Sequence, residues 1–172
     1  MAMDLFRTPR IFTVVALSGL AIACLASATA VATASRAEAS PTKRLLGTWA
    51  GRGVARFEGN KSERIKCNAY YTGGGRKLNI AVRCASTSYK IEIRSKLENR
   101  SGRLTGTWEE RTFNASGQTS GSISEERIRL SINGGGLSAS MAVQFNDTEQ
   151  NIKVRADGSQ LKSVAIDLSR TR

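Results

Sequence analysis

Residues 62–84 read SERIKCNAYYTGGGRKLNIAVRC. Ile65, Cys67, Ala69 and Tyr71 alternate with polar neighbours. Leu78, Ile80, Val82 and Cys84 do the same on the far side of a glycine run. A period of two is the pleat of a strand with one wet face, and the glycines mark the hairpin turn between two strands. A turn at Gly75–Arg76 sets Cys67 opposite Cys84, Ala69 opposite Val82 and Tyr71 opposite Ile80. Every apolar residue then meets an apolar residue, as strand register requires. A longer loop slides the two cysteines apart by two residues and makes a bond harder to close. The short turn therefore predicts a Cys67–Cys84 disulfide, which adds about 3 kcal/mol by loop closure. Two buried free thiols are the alternative.

The same alternation continues on both sides. "SYKIEI" puts Tyr89, Ile91 and Ile93 on one face, "ERIRLSI" puts Ile128, Leu130 and Ile132, and "LSASMAVQF" puts Leu137, Ala139, Met141, Val143 and Phe145. Turns fall near "EGNK", "TGGG" and "ASTS". Beyond Ser40 no stretch reads convincingly as a helix, and both prolines, Pro9 and Pro41, precede the first strand.

Both tryptophans sit in the phrase Gly-Thr-Trp, Trp49 in "LLGTWAGRG" and Trp108 in "LTGTWEERT", 59 residues apart. "TGGG" at 72–75 has an echo in "NGGG" at 133–136, where the pattern suggests Ile132 opposite Leu137. The spacing reads as an internal repeat, about 45–103 and 104–168, in a single domain over 40–172. The expected fold is all-β: an antiparallel up-and-down barrel or sandwich of about eight strands, from two similar four-stranded halves. Two units are too few for a solenoid, and closure removes exposed sheet edges. Leu45, Gly47 and Trp49 alternate, as do Leu104, Gly106 and Trp108, which places each indole over a bare glycine as a core plug. Stacking on a ligand is the alternative role for Trp49 and Trp108.

Residues 1–39 have the grammar of a signal peptide. Arg7 and Arg10 precede an uncharged run over 11–35, and "AEA" at 37–39 is a small-x-small cleavage site. "LAIAC" ending at Cys24 is a loose lipobox, so lipidation at Cys24 is a second reading and a retained anchor a third. Loss of Cys24 with the signal leaves Cys67 and Cys84, an even number suited to an oxidising compartment. The expected location is periplasmic or secreted.

The whole chain carries a net charge of +12, and from Ser40 onward 23 Lys/Arg stand against 12 Asp/Glu, a net +11. A tight turn at Ser86–Thr87 sets Arg83 opposite Lys90 and Asn79 opposite Arg94. Arg64, Lys66, Lys77, Arg83, Lys90, Arg94 and Lys96 then share one basic outer stripe, a candidate for anion binding. A solvated charged face is the competing reading. Tyr70 is the one aromatic among them, which does not favour base stacking and argues against nucleic acid.

The chain has no histidine, which excludes Ser-His-Asp and Cys-His catalysis and leaves no zinc-ligand set. No metal and no cofactor is expected. Glu110 continues the inward face of Trp108, where it can face a ligand, act as an acid, or bridge to an arginine at the rim. A glycosidase built on Glu110 needs a second carboxylate within reach. Asn60, Asn99, Asn114 and Asn146 begin N-x-S/T sequons and fall in expected turns.

Gly-Thr-Trp at 47–49 in the first strand, the up-and-down pattern and the export signal resemble the calycin group of lipocalins, avidins and small bacterial barrel protease inhibitors. The resemblance implies a barrel, and the inhibitors' early disulfide parallels Cys67 and Cys84. Avidin-like sites need more tryptophans than the two here, and a second Gly-Thr-Trp departs from the lipocalin pattern. The functional expectation is a monomeric, non-enzymatic exported domain. It binds a small apolar or amphipathic ligand inside, or an anionic envelope polymer or lipid on its basic face. An inhibitor acting on another secreted protein is the alternative, with Ser40–Arg44 ordering only in the complex.

Overall fold

The computed structural model describes residues 40–172; the signal-peptide, anchor and Cys24 expectations lie outside them. A short helix, α1 (Pro41–Leu45), leads into ten strands: β1 (Gly47–Phe57), β2 (Ser62–Gly74), β3 (Lys77–Ala85), β4 (Lys90–Arg100), β5 (Arg103–Glu110), β6 (Ala115–Ser124), β7 (Arg127–Gly134), β8 (Leu137–Phe145), β9 (Glu149–Asp157) and β10 (Leu161–Arg170). Each strand pairs antiparallel with its sequence neighbours, and β1 pairs with β10 to close a barrel. The sheet has no free edge.

Ten strands replace the expected eight, and the two halves are unequal. Four strands precede the second Gly-Thr-Trp phrase and six begin with it. The two phrases also lie at different heights. Trp49 is the third residue of β1, whereas Trp108 sits two residues before the end of β5. The "TGGG" turn is at the helix end of the barrel and the "NGGG" turn at the other end, because β2 runs toward α1 and β7 runs away from it.

The β2–β3 hairpin turns at Gly75–Arg76 in the expected register, with Cys67 bonded to Cys84. A disulfide at this rung is consistent with an extracytoplasmic location. Two other registers need correction. Ile132 faces Ala139, not Leu137, because β7–β8 also closes with a two-residue turn, at Gly135–Gly136. The β3–β4 connection spans residues 86–89, so Arg83 faces Glu92 and Asn79 faces Lys96. The Ser86 hydroxyl holds that loop by accepting the Tyr89 and Ser88 backbone N–H groups.

The helix end is solid. Leu45, Trp49, Leu78, Leu104 and Ile128 are fully buried there, under α1. Ser40 and Arg44 belong to this plug: the Lys43 N–H donates to the Ser40 carbonyl, and the Arg44 Nε donates to Asp147 Oδ1 at 2.9 Å. Trp49 Nε1 donates to the Leu45 carbonyl at 2.9 Å, and its ring meets Tyr71 edge-on with centroids 6.5 Å apart. Above the indole lies Arg170, its guanidinium carbon 4.2 Å from the ring centroid. Arg170 donates to the carbonyls of Leu46 and Asp147, each at 2.6 Å, and to that of Arg44. One arginine thus ties β10 to α1, β1 and the β8–β9 turn.

The glycines of the two phrases serve neighbours rather than indoles. Gly47 has φ +119°, and a Cβ there would lie 3.0 Å from Arg170 Nη1. A Cβ on Gly106 would lie 1.9 Å from the Lys96 carbonyl oxygen of β4, so Gly106 permits close strand approach.

Candidate functional site

Past the plug, the inward side chains no longer fill the barrel. A cavity of about 180 Å³ runs from Tyr71 and Ile152 toward the end away from α1, lined by all ten strands. Its wall is aliphatic and aromatic, with Ile65, Ile80, Val82, Ile91, Leu130, Met141 and Val154 among the contributors and no charged side chain. The polar groups deep in the wall have already spent their protons, while the Tyr89 hydroxyl belongs to the mouth. Ser95 Oγ donates to the Thr107 carbonyl at 2.8 Å, Thr119 Oγ1 to the Ser131 carbonyl at 3.1 Å, and the Tyr71 hydroxyl to Gln150 Oε1 at 2.9 Å. Burial pushes the Tyr71 phenol well above its ordinary range despite the Gln150 contact, so it stays protonated. Such a wall selects against a polar guest and leaves the space dry.

Large apolar groups gather at the mouth. Phe113 is 65% exposed, Tyr89 43% and Ile93 40%, all at the end away from α1. Tyr89 packs on Phe57 with ring centroids 5.5 Å apart, so an aromatic pair borders the opening.

The sequence-derived candidates separate here. Trp108 lines the cavity, with Nε1 donating to the Asn133 carbonyl at 3.2 Å. Trp49 lies below it in the plug. Glu110 faces inward as expected and is 8% exposed, but it holds a turn. Its Oε1 accepts the backbone N–H of Glu92 at 3.2 Å and of Thr112 at 3.0 Å, and its Oε2 accepts that of Phe113 at 2.6 Å. Burial alone would raise the Glu110 carboxyl; the N–H groups of Phe113 and Thr112 outweigh it and hold the carboxyl below the usual range. A carboxyl depressed in the folded state stabilises fully above its unfolded pKa and less as pH falls through the folded value. Glu110→Gln is therefore expected to cost about 1–2 kcal/mol at neutral pH and to flatten the acid limb of stability against pH. Urea unfolding across the acid range checks this; a limb as steep as wild type would contradict it.

The basic stripe is broken. Glu92, which strand alternation puts on the same face between Lys90 and Arg94, lies among its cations. It meets Arg94 at 2.7 Å, Arg83 at 3.3 Å and Arg111 at 3.8 Å, while Glu98 meets Arg100 at 3.0 Å and Arg76 at 3.6 Å. Arg94 and then Arg83 hold the Glu92 carboxyl below its usual range. Arg83 also lies over the Tyr70 ring, 5.7 Å from its centroid. Lys77 faces Glu98 and Lys96 faces Thr107 toward the helix end, and Lys90 stands at the start of β4. Arg64 and Lys66 are opposite Val54 and Arg52 on β1. Of the sequons, Asn60, Asn114 and Asn146 are in turns, the first two at φ 60° and 53°. Asn99 is on β4 instead, where its Oδ1 accepts the Gly102 N–H at 2.9 Å.

Solved structures share this architecture, and two illustrate it. Rv2717c from M. tuberculosis superposes with a TM-score of 0.63 at 17% identity, over 78% of this chain and 99% of that one. The S-type phycobiliprotein lyase CPES from Guillardia theta gives 0.58 at 10% identity, over 76% and 90%. The fold is a calycin-like barrel. No protein-family model matches the chain, and no curated protein matches it in sequence. At these identities the likeness is one of fold.

Proposed function

We propose that the protein is an exported, non-enzymatic carrier or receptor for a small apolar ligand held inside the barrel. The observation that carries this reading is a cavity walled by apolar side chains, with the hydroxyls of Tyr71, Ser95 and Thr119 already bonded to the protein. Such a site gives affinity through contact and exclusion of water, with little polar steering. At about 180 Å³ the space suits a guest of one or two rings or a short acyl chain. The aromatic mouth extends the same chemistry to the surface. CPES is named as a lyase for phycobiliproteins, and that name is compatible with a barrel of this fold handling a small molecule. Here the wall presents no charged group for acid–base work, which favours binding without turnover.

The test is titration with 1-naphthylamine, a neutral two-ring fluorophore. Saturable fluorescence enhancement at one site per chain is expected, with displacement by unlabelled apolar compounds and no product on prolonged incubation. Enhancement that rises linearly, or survives unfolding in urea, would overturn the reading.

A further inference from the structure

We infer that a second basic surface, formed by β6–β10 on the outside of the barrel, is a binding site for an anionic polysaccharide. It is independent of the cavity. Two adjacent rungs of the sheet build it. The first runs Ser122–Arg129–Ala142–Lys153–Ala165, and the second runs Ser120–Ser131–Ser140–Arg155–Ser163. Three cations thus stand among seven serines and alanines, and neither rung carries a carboxylate. Arg129 and Lys153 flank Ala142, two strand spacings or about 10 Å apart at the backbone, and Arg155 lies about 7 Å further along β9. All three are exposed, and none makes an ion pair or side-chain hydrogen bond among the described residues. The short side chains of β8 leave a shallow groove between them, lined by Arg129, Lys153, Arg155, Ser122, Ser131 and Ser140.

The contrast with the β2–β4 stripe is physical. There, Glu92 and Glu98 already occupy the arginines. Here Asp157 and Asp167 stand one rung away on either side, and Asp167 accepts from Asn151 Nδ2 at 2.6 Å. Cations spaced along and across a flat floor fit a chain of repeated sulfate or carboxylate groups better than a single ion. Serine hydroxyls supply donors for sugar oxygens. The face has no aromatic for a nucleobase. The large apolar groups that would seat in a lipid surface are at the cavity mouth instead.

Dextran sulfate is the probe, with the full chain at low salt. Arg129→Ser/Lys153→Ser/Arg155→Ser is expected to weaken binding at least about 10-fold and to lower the salt dependence of the affinity. Arg52→Ser/Arg64→Ser/Lys66→Ser removes the same charge from another face and is expected to weaken it less than about 2-fold. Circular dichroism and thermal midpoints should match wild type for both, since every replaced group is on the surface. Equal weakening by both sets would assign retention to net charge and overturn the proposal, as would no weakening by either. Binding to anionic phospholipid vesicles that is lost in the first set, with dextran sulfate binding intact, would make the surface a membrane contact and also overturn it.

Discussion

Trp49→Ala is expected to remove about 3–5 kcal/mol of unfolding free energy and to lower the thermal midpoint by about 10–20 °C. The indole is completely buried and touches three other parts of the chain. Its N–H satisfies the last carbonyl of α1, its edge meets Tyr71 on β2, its face carries Arg170 of β10, and its body fills the narrow end beneath the cavity. Truncation leaves a void that α1 is too short to close, because five residues cannot hold a helix without tertiary contacts. Arg170 would keep its carbonyl acceptors but lose the ring beneath its guanidinium. Trp49→Phe separates these effects: it keeps most apolar volume and loses the bond to Leu45, at about 1–2 kcal/mol. Urea titration of the three proteins measures both steps. An alanine variant within about 1 kcal/mol of wild type would mean that the plug does not organise the barrel.

Trp108 shows why a shared phrase did not mean a shared role. Both indoles face inward, which alternation alone predicts. Their heights depend on where each strand starts relative to the barrel axis, and no local pattern records that. Trp49 enters four residues after α1 and meets the plug. Trp108 enters after the β4–β5 turn and climbs to the cavity. The strand count failed for a related reason. Facing inward on β6 are Ala115, Gly117, Thr119, Gly121 and Ile123, so four of five positions carry small or polar groups. Gly117 and Gly121 are there because β7 approaches so closely that a Cβ would meet the Asn133 or Arg129 carbonyl oxygen at about 2 Å. Strands chosen for close approach lose the apolar beat by which strands are read. The β2–β3 hairpin keeps that beat in full, and its register was legible to the residue, disulfide included. The β3–β4 loop hides behind Ser86, whose hydroxyl bonds make a four-residue connection where a two-residue turn also satisfies the pattern. That slip of two preserved which face each side chain takes but set Lys90, rather than Glu92, directly opposite Arg83. The β6–β10 groove was missed because its cations are far apart in sequence, and Ala142 joins Arg129 to Lys153 only across three strands.

Ala139→Phe is the sharpest test of the cavity, because it changes the space without disturbing the plug. Ala139 points inward from β8 between Ile132 on β7 and Ala156 on β9, and all three line the cavity. A phenyl group there enters free volume walled by apolar atoms. Added contact and local crowding oppose each other, so unfolding free energy should stay within about 1.5 kcal/mol of wild type. The fluorophore has nowhere left to sit, and its affinity should fall at least about 100-fold, a loss of about 2.7 kcal/mol. Ala142→Phe, three residues along the same strand but on the outer wall, should leave fluorophore binding intact. That ring stands instead between Arg129 and Lys153, where it should hinder dextran sulfate. The pair therefore separates two surfaces of one strand: each substitution should block one ligand and spare the other. Loss of fluorophore binding in both variants would mean that the dye reads a general property of the β8 region, and the cavity would no longer be its site.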